Sequence, residues 1–427
     1  MGRAHKFLRR REFLTNSGWL SAPAVFLDKS SNRRFNAFLT NHQKNIYAQL
    51  GVTTIINAFG TVTRLGGSIM PPDVVAAMEE AGQYFVSLSE LHQKIGERLA
   101  KLIGVEAATI TSGAAGAITL GTAACVTRGD PKKIQQLPDT TGMKNQVIIQ
   151  NAHRHSYEAQ IRLVGTTIVG VETMEELESA INERTAMLFF INTLNSKGQI
   201  DRSNWVKMGK KYGIPTFNDA AADIPPPNRL SKYINLGFDL VTFSGGKGLL
   251  GPQCSGLLVG RKDLVLAARH NGSPWSGIGR GMKVGKEEMV GLLVAVERYL
   301  SSDHEATKRL LKSRLDKIIS ILSPIEGLSM QVFIPEIANH VPHLSIEWTL
   351  NKIHLTSNDA RRQLREGNPA VAVGPHRWGQ PKVIHHENQQ GLTVSAWMLQ
   401  PGEAQIVAYR IKDILIGSSL NSGEKLT

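Results

Sequence analysis

Lys247 stands in the run Phe243-Ser244-Gly245-Gly246-Lys247-Gly248-Leu249-Leu250-Gly251, directly after the apolar stretch 240–243. Glycine has no Cβ to hold the backbone away, so a lysine in such a turn can approach a ligand closely. Ser244 lies three residues before the lysine, and Asp219 closes another strand-like run, Ile214-Pro215-Thr216-Phe217-Asn218-Asp219. Lysine, serine and a strand-end aspartate are the parts that hold pyridoxal 5'-phosphate: the lysine forms the Schiff base and the aspartate pairs with the pyridinium nitrogen. The competing reading is a nucleotide phosphate loop. That loop needs Ser or Thr after its lysine to hold magnesium, and Gly248 occupies the place. Taken alone, a glycine-flanked lysine is most often a solvated loop residue.

A phosphate seat strengthens the cofactor reading. In Ala108-Thr109-Ile110-Thr111-Ser112-Gly113-Ala114-Ala115-Gly116 a β-branched strand ends in Ser-Gly, and small residues open an apolar helix over 117–126. The free N–H groups and positive dipole end of such a helix attract phosphate. A tightly packed turn would need the same small residues, and both demands can hold together.

These residues must be positioned by regular elements. Strand-like runs fall at 146–150, 166–171, 186–191, 216–218, 240–243 and 256–259, with helix-like stretches such as 174–182 and 203–212 between them. This alternation predicts an α/β fold with a mostly parallel central sheet flanked by helices. Ligands of open α/β sheets bind beyond the carboxyl ends of the strands. Asp219, Lys247 and Ser112 all stand at such ends.

With these residues in place, the chain resembles the fold-type-I pyridoxal-phosphate enzymes of the selenocysteine synthase-like group. That group holds L-seryl-tRNA(Sec) selenium transferase and D-glucosaminate-6-phosphate ammonia-lyase. The resemblance rests on Ile56-Asn57-Ala58-Phe59-Gly60-Thr61, Thr111-Ser112-Gly113-Ala114-Ala115, Asn218-Asp219-Ala220-Ala221-Ala222-Asp223 and the lysine run continuing through Gly251-Pro252-Gln253-Cys254-Ser255-Gly256. Gly279-Arg280-Gly281-Met282-Lys283-Val284-Gly285-Lys286-Glu287-Glu288 and Trp397-Met398-Leu399-Gln400-Pro401-Gly402-Glu403 extend it towards the C-terminus.

The resemblance implies that Lys247 carries the cofactor and that Asp219 partners its ring nitrogen. It implies that Ser112, Gly113, Ala114 and Ser244 hold the phosphate. It also places a side chain over the cofactor ring, just after the strand ending near Gln150. His153 and His155 are the candidates, and His153 is favoured. The capping of the next helix is the plainer use of either. The implied fold is the pyridoxal-phosphate-dependent transferase fold, with a large domain at 46–300 and a smaller α+β domain at 301–427.

Within the group the chain leans to the ammonia-lyase branch. The transferases carry an extra tRNA-binding domain before the core, whereas here a short arm precedes it. Ser-Gly-Gly-Lys stands where the transferase is expected to read Ser-Gly-Asp-Lys, and Leu65-Gly66-Gly67-Ser68 where it tends to read Asn-Leu-Gly-Arg. The expected chemistry is β-elimination. Substrate amine displaces Lys247, the freed lysine removes the α-proton, and the pyridine stores the electrons as the β-substituent leaves. The unsaturated amine then hydrolyses to a keto product and ammonia. Lysine is a useful base here only if its pKa falls from ~10.4 towards neutrality. The expected substrate is an anionic amino acid or amino sugar acid such as D-glucosaminate 6-phosphate. Arginine's planar fork suits that anion, and Arg64, Arg280 and Arg365 are the candidates. Two other functions compete: a selenium transferase acting on seryl-tRNA, and a catalytically silent relative that serves as a binding module.

Bulk properties agree with a globular enzyme. The chain has 427 residues, 41% hydrophobic and 20% charged, enough for two domains. No stretch has the apolar length of a membrane span, so stable membrane insertion is not expected. Two cysteines, Cys125 and Cys254, exclude a disulfide framework, and no His/Cys cluster has metal-ligand spacing. Net charge is +13, but residues 1–50 hold nine Lys/Arg against two acids, leaving +6 for the remainder. No basic stripe with interleaved aromatics runs through the core, so no nucleic-acid partner is expected. A homodimer or higher homo-oligomer is expected from the resemblance. The arm at 1–45 contains Arg9-Arg10-Arg11-Glu12-Phe13-Leu14 and a short apolar stretch, which resembles a twin-arginine export signal. Periplasmic export follows from that reading, and a cytoplasmic location from the alternative of a basic arm. Residues 129–145 read as a polar surface loop.

Overall fold

The computed structural model describes residues 45–380 and 388–420. The export-signal reading concerns Arg9, Arg10 and Arg11, which lie outside the described residues. The chain divides into two compact units. One comprises residues up to Ile55 together with Asn368–Ala370. Its helix Ile46–Gln49 is capped by Asn45, whose side chain accepts the Ala48 N–H over 2.9 Å. The other unit runs from Ile56 to Gly367 and from Val371 onward.

This second unit contains a seven-stranded sheet. Its strands are β1 (Ala107–Thr111), β2 (Gln146–Gln150), β3 (Thr167–Val171), β4 (Thr185–Ile191), β5 (Thr216–Asp219), β6 (Leu240–Ser244) and β7 (Gly256–Gly260). They lie side by side in the order β1-β7-β6-β5-β4-β2-β3. β7 runs antiparallel to β1 and β6, and the other pairings are parallel. Central strands of such sheets are covered on both faces and read as unbroken apolar runs. β4, Thr-Ala-Met-Leu-Phe-Phe-Ile, is buried at every position.

The helix Gly113–Thr127 is apolar nearly all round, as a helix enclosed in a core must be. It packs so closely on β5 that a Cβ at Gly121 would lie 2.4 Å from the Phe217 ring. One small residue thus sets the spacing between the middle of that helix and the strand that ends in Asp219.

The C-terminal region holds an antiparallel sheet of β8 (Ser329–Phe333), β9 (His343–Thr349) and β10 (Gln389–Ser395), in the order β10-β9-β8. Leu311, Leu315, Ile318, Leu344, Ile346, Val394, Val407 and Ile411 form its core with the helices His304–Leu322 and Glu403–Leu420. The sequence pattern misses β8, an exposed edge strand with little apolar alternation. The expected loop at 129–145 contains a helix, Pro131–Gln136. Asp130 caps it, accepting the Lys132 N–H over 2.8 Å, and proline occupies its first turn, where no N–H is needed.

Candidate active site

A cavity of about 460 Å³ opens beyond the carboxyl ends of β4, β5 and β6. Asp219, Ser244, Lys247, Gly113 and Ala114 line it, so residues far apart in sequence meet as expected. Backbone bonds beyond the strands hold them there. The Ala220 N–H donates to Thr242 O over 3.0 Å and the Ser244 N–H to Ala221 O over 3.2 Å. The lysine loop is closed by bonds from the Gly245 N–H to Ser255 O at 2.8 Å and from the Leu250 N–H to Lys247 O at 2.9 Å. Its glycines are needed for space. A Cβ at Gly248 would lie 2.0 Å from Ile224 O, and one at Gly246 2.5 Å from Gln253 Cα.

A second loop, 63–67, closes over the first. Gly67 has φ +78°, and a Cβ there would lie 2.5 Å from Gly246 O. Gln253 Nε2 donates to Thr63 O over 2.9 Å, and both residues line the cavity. The sequence pattern gives neither residue a role.

The two ionisable groups are shifted in opposite senses by one cause. Asp219 is 9% exposed and its Oδ1 accepts the Ala221 N–H over 3.0 Å. Burial pushes its carboxyl up, against the pull of that N–H, Lys247 and His155. Burial pushes Lys247 down, against the Asp219 and Asp223 carboxylates. A desolvated carboxylate favours a cationic partner, and a desolvated amine favours its neutral, basic form.

The helix start expected to hold a phosphate borders the cavity, without Ser112 in its lining. Ser112 occupies the N-cap position of the helix Gly113–Thr127 but makes no capping bond, so the first-turn N–H groups have no side-chain acceptor. Gly113, Ala114 and Ala115 face the cavity, whereas Ser112 is absent from its lining. Gly113 has φ +76°, with open space where a Cβ would project. These uncapped amides, the buried Asp219 and the partly buried Lys247 fit the phosphate, ring nitrogen and aldehyde carbon of pyridoxal phosphate.

The two histidines take different places, and only His155 lines the cavity. His153 is 0% exposed and stands behind the cavity wall. Its Nε2 bonds to Leu194 O at 2.9 Å, its Nδ1 accepts the Ile191 N–H at 3.4 Å, and burial pushes its pKa down to about 4. His155 lines the cavity instead. The expectation that favoured His153 is corrected because its ring is occupied in tying the end of β4 to the following turn. Arg64, Arg280 and Arg365 are exposed and do not line the cavity. Arg64 comes nearest in sequence, next to Thr63, with its guanidinium 5.6 Å from the Phe59 ring centroid.

Residues 55–321 match the family of L-seryl-tRNA selenium transferases, SelA. The chain is 34% identical over 381 residues to D-glucosaminate-6-phosphate ammonia lyase of Salmonella typhimurium, covering 87% of this chain and 98% of that protein. It is 35% identical over 297 residues to 5'-C-glycyluridine monooxygenase-decarboxylase of a Streptomyces species, covering 66% of this chain and 72% of that protein. A solved structure of D-glucosaminate-6-phosphate ammonia-lyase superposes with a TM-score of 0.73 at 30% identity, covering 88% of this chain and 99% of that one.

Proposed function

The chain belongs to the SelA family, and within it we propose a lyase that removes an α-proton and eliminates a β-substituent from an anionic amino acid or amino sugar acid, such as D-glucosaminate 6-phosphate. It is an enzyme, and its cofactor is pyridoxal 5'-phosphate. The observation that carries the lyase reading is the meeting of Lys247, Asp219 and the uncapped helix start in one cavity, in a chain 34% identical to an ammonia lyase over nearly that protein's full length.

When bound, the cofactor supplies an electron sink for the pair left by the α-proton. The protein's own residues do the rest. Gly113, Ala114 and Ala115 offer backbone N–H groups to the phosphate, with Ser244 beside them. Asp219 would keep a proton on the ring nitrogen. Lys247 Nζ, kept in its neutral, proton-accepting form by burial, takes the α-proton. His155, in the cavity wall, would face the ring. The loop 63–67, held to Gln253, screens the site from water. The enzyme works as a homodimer or a larger assembly of dimers, and Tyr84, Phe85 and Val86 form an exposed apolar segment that suits such a contact.

The test is a screen for ammonia and keto-acid release over amino acids and amino sugar acids, with D-glucosaminate 6-phosphate included. Stoichiometric release from one anionic substrate supports the reading. Salt-resistant binding of seryl-tRNA, with no release from any small substrate, would replace it with the transferase reading.

A further inference from the structure

Beneath the cavity lies a second carboxylate that the chemistry above does not use. Asp223 is 0% exposed. Tyr233 OH donates to its Oδ2 over 2.7 Å, and Asn192 Nδ2 bonds to the same oxygen. Its other oxygen, Oδ1, is buried with no hydrogen-bond partner. A charged group so placed is costly unless a cation or a proton answers it. The adjacent guanidinium does not bond the carboxylate: Arg229 spends its N–H groups on the carbonyls of Asp223, Pro225, Glu336 and Ile337.

The segment bearing Asp223 lies directly against the lysine loop. Ala221 and Ala222 line the same cavity as Lys247, and Ile224 O fills the space that a Cβ at Gly248 would need. Lys247 interacts electrostatically with two carboxylates, Asp219 and Asp223.

We propose that Asp223 is a positioning residue for Lys247, the fixed countercharge that steadies its ammonium while the lysine holds the α-proton. The inference rests on the base role of Lys247 proposed above. Once Nζ gains that proton, it is a cation in a largely desolvated setting. With the cofactor bound, Asp219 would be paired with the ring nitrogen and could not answer it fully. Asp223 is held rigid at Oδ2 and has its remaining oxygen free. No bond forms or breaks at Asp223, and the proton stays on Nζ until it is passed on. The charged and titratable groups around the pair are Asp219, Tyr233 and Arg229, with His155 acting on Asp219.

The test measures Lys247 in cofactor-free protein, so it does not depend on turnover. Acetic anhydride labelling of the Lys247 peptide, followed by mass spectrometry across pH, reports the midpoint at which the amine becomes reactive. Asp223→Asn should move that midpoint about one pH unit lower, as expected when one nearby opposite charge is lost. Tyr233→Phe keeps the carboxyl but removes a donor that favours its charged form, and should move the midpoint the same way by less. If Asp223→Asn does not fold, Tyr233→Phe decides. In the holoenzyme Asp223→Asn should lower kcat by about tenfold with KM within about threefold, the pattern of an interaction made mainly after substrate binds. An unmoved midpoint in the folded variants overturns the proposal. Failure of borohydride to fix cofactor at Lys247 would instead overturn the base role, whatever the midpoints show.

Discussion

The backbone N–H of Tyr157 donates to His155 Nδ1 over 2.9 Å. With Nδ1 an acceptor, the neutral ring carries its proton on Nε2, which is buried without a partner in the protein. Burial pushes the pKa of His155 down, while Asp219 and Glu158 pull it up. A neutral ring with one free N–H thus stands in the cavity wall. His155→Ala should weaken cofactor binding about fivefold to tenfold, the worth of one aromatic contact of ~1 kcal/mol, and shift the cofactor's absorbance. His155→Phe should retain most of that affinity. His153→Ala should instead lower stability by about 1–3 kcal/mol, through the buried groups it leaves unpaired, with the absorbance unchanged. Paired melting curves and cofactor spectra check this, and the reverse pattern would return the ring-facing role to His153.

Lys247→Ala should abolish turnover and leave the fold intact, and borohydride should fix cofactor to the Lys247 peptide of the native enzyme. The lysine's pKa is lowered by burial from its ordinary 10.5, so the rise of rate with pH should level off below pH 10.5. Asp219→Asn should cut turnover by about 10²-fold or more, since the charge facing the ring nitrogen is lost, while the phosphate contacts keep occupancy within about tenfold. Equal loss of occupancy and turnover would make Asp219 a structural residue.

Asp223 ties stability to pH. Its carboxyl is pushed up to about 6, first by burial and also by Asp219, against Tyr233, Asn192 and Arg229. A carboxyl raised above its unfolded value of 3.8 keeps its proton in the folded state where the unfolded chain has lost it. Its contribution is therefore complete below about pH 4 and is lost as pH rises to about 6, roughly 3 kcal/mol over two units. Asp223→Asn stays uncharged and should remove that slope. Urea unfolding of both proteins across this window checks it, and parallel stability curves would show that the carboxyl titrates normally.

Gly121 and Phe217 set how closely the helix Gly113–Thr127 packs on β5. Gly121→Ala places a methyl 2.4 Å from the Phe217 ring, so the ring, the helix or the strand must shift. The expected cost is about 1–3 kcal/mol of stability, with a fall in kcat as Asp219 moves from the ring nitrogen. Phe217→Leu added to Gly121→Ala should recover part of both. Recovery of stability without kcat would show that this contact does not position Asp219.

Much of the site is legible in the sequence because strand ends are legible. Alternating apolar runs place Asp219, Ser244 and Lys247 at the carboxyl edge of one sheet, and Ser112-Gly113 marks a helix start there. The choice between His153 and His155 is not legible. Both follow β2 within five residues, and a 3₁₀ turn at Asn151–His153 decides which ring faces in. The role of Asp223 is hidden for a different reason: its partners, Asn192 and Tyr233, come from two other parts of the chain. Arginines carry no local mark of burial, which is why Arg64, Arg280 and Arg365 are equal candidates in the sequence and all lie outside the cavity lining.

The arm is proposed as an export signal, on the Arg-Arg-x-Phe-Leu pattern at Arg10–Leu14 followed by a short apolar stretch. The twin-arginine route carries folded, cofactor-loaded cargo, which would suit export of a pyridoxal-phosphate enzyme. Recognition of such a signal depends on guanidinium geometry rather than on charge alone, because arginine's planar fork differs from a lysine ammonium. Arg10→Lys with Arg11→Lys keeps the net charge, so it separates the two readings of the arm. A reporter fused behind residues 1–45 should reach the periplasm with the native arm and stay inside with the paired substitution. Removal of the arm should leave catalysis by the purified enzyme unchanged. An identical location for both reporters would make the segment a basic arm and return the enzyme to the cytoplasm.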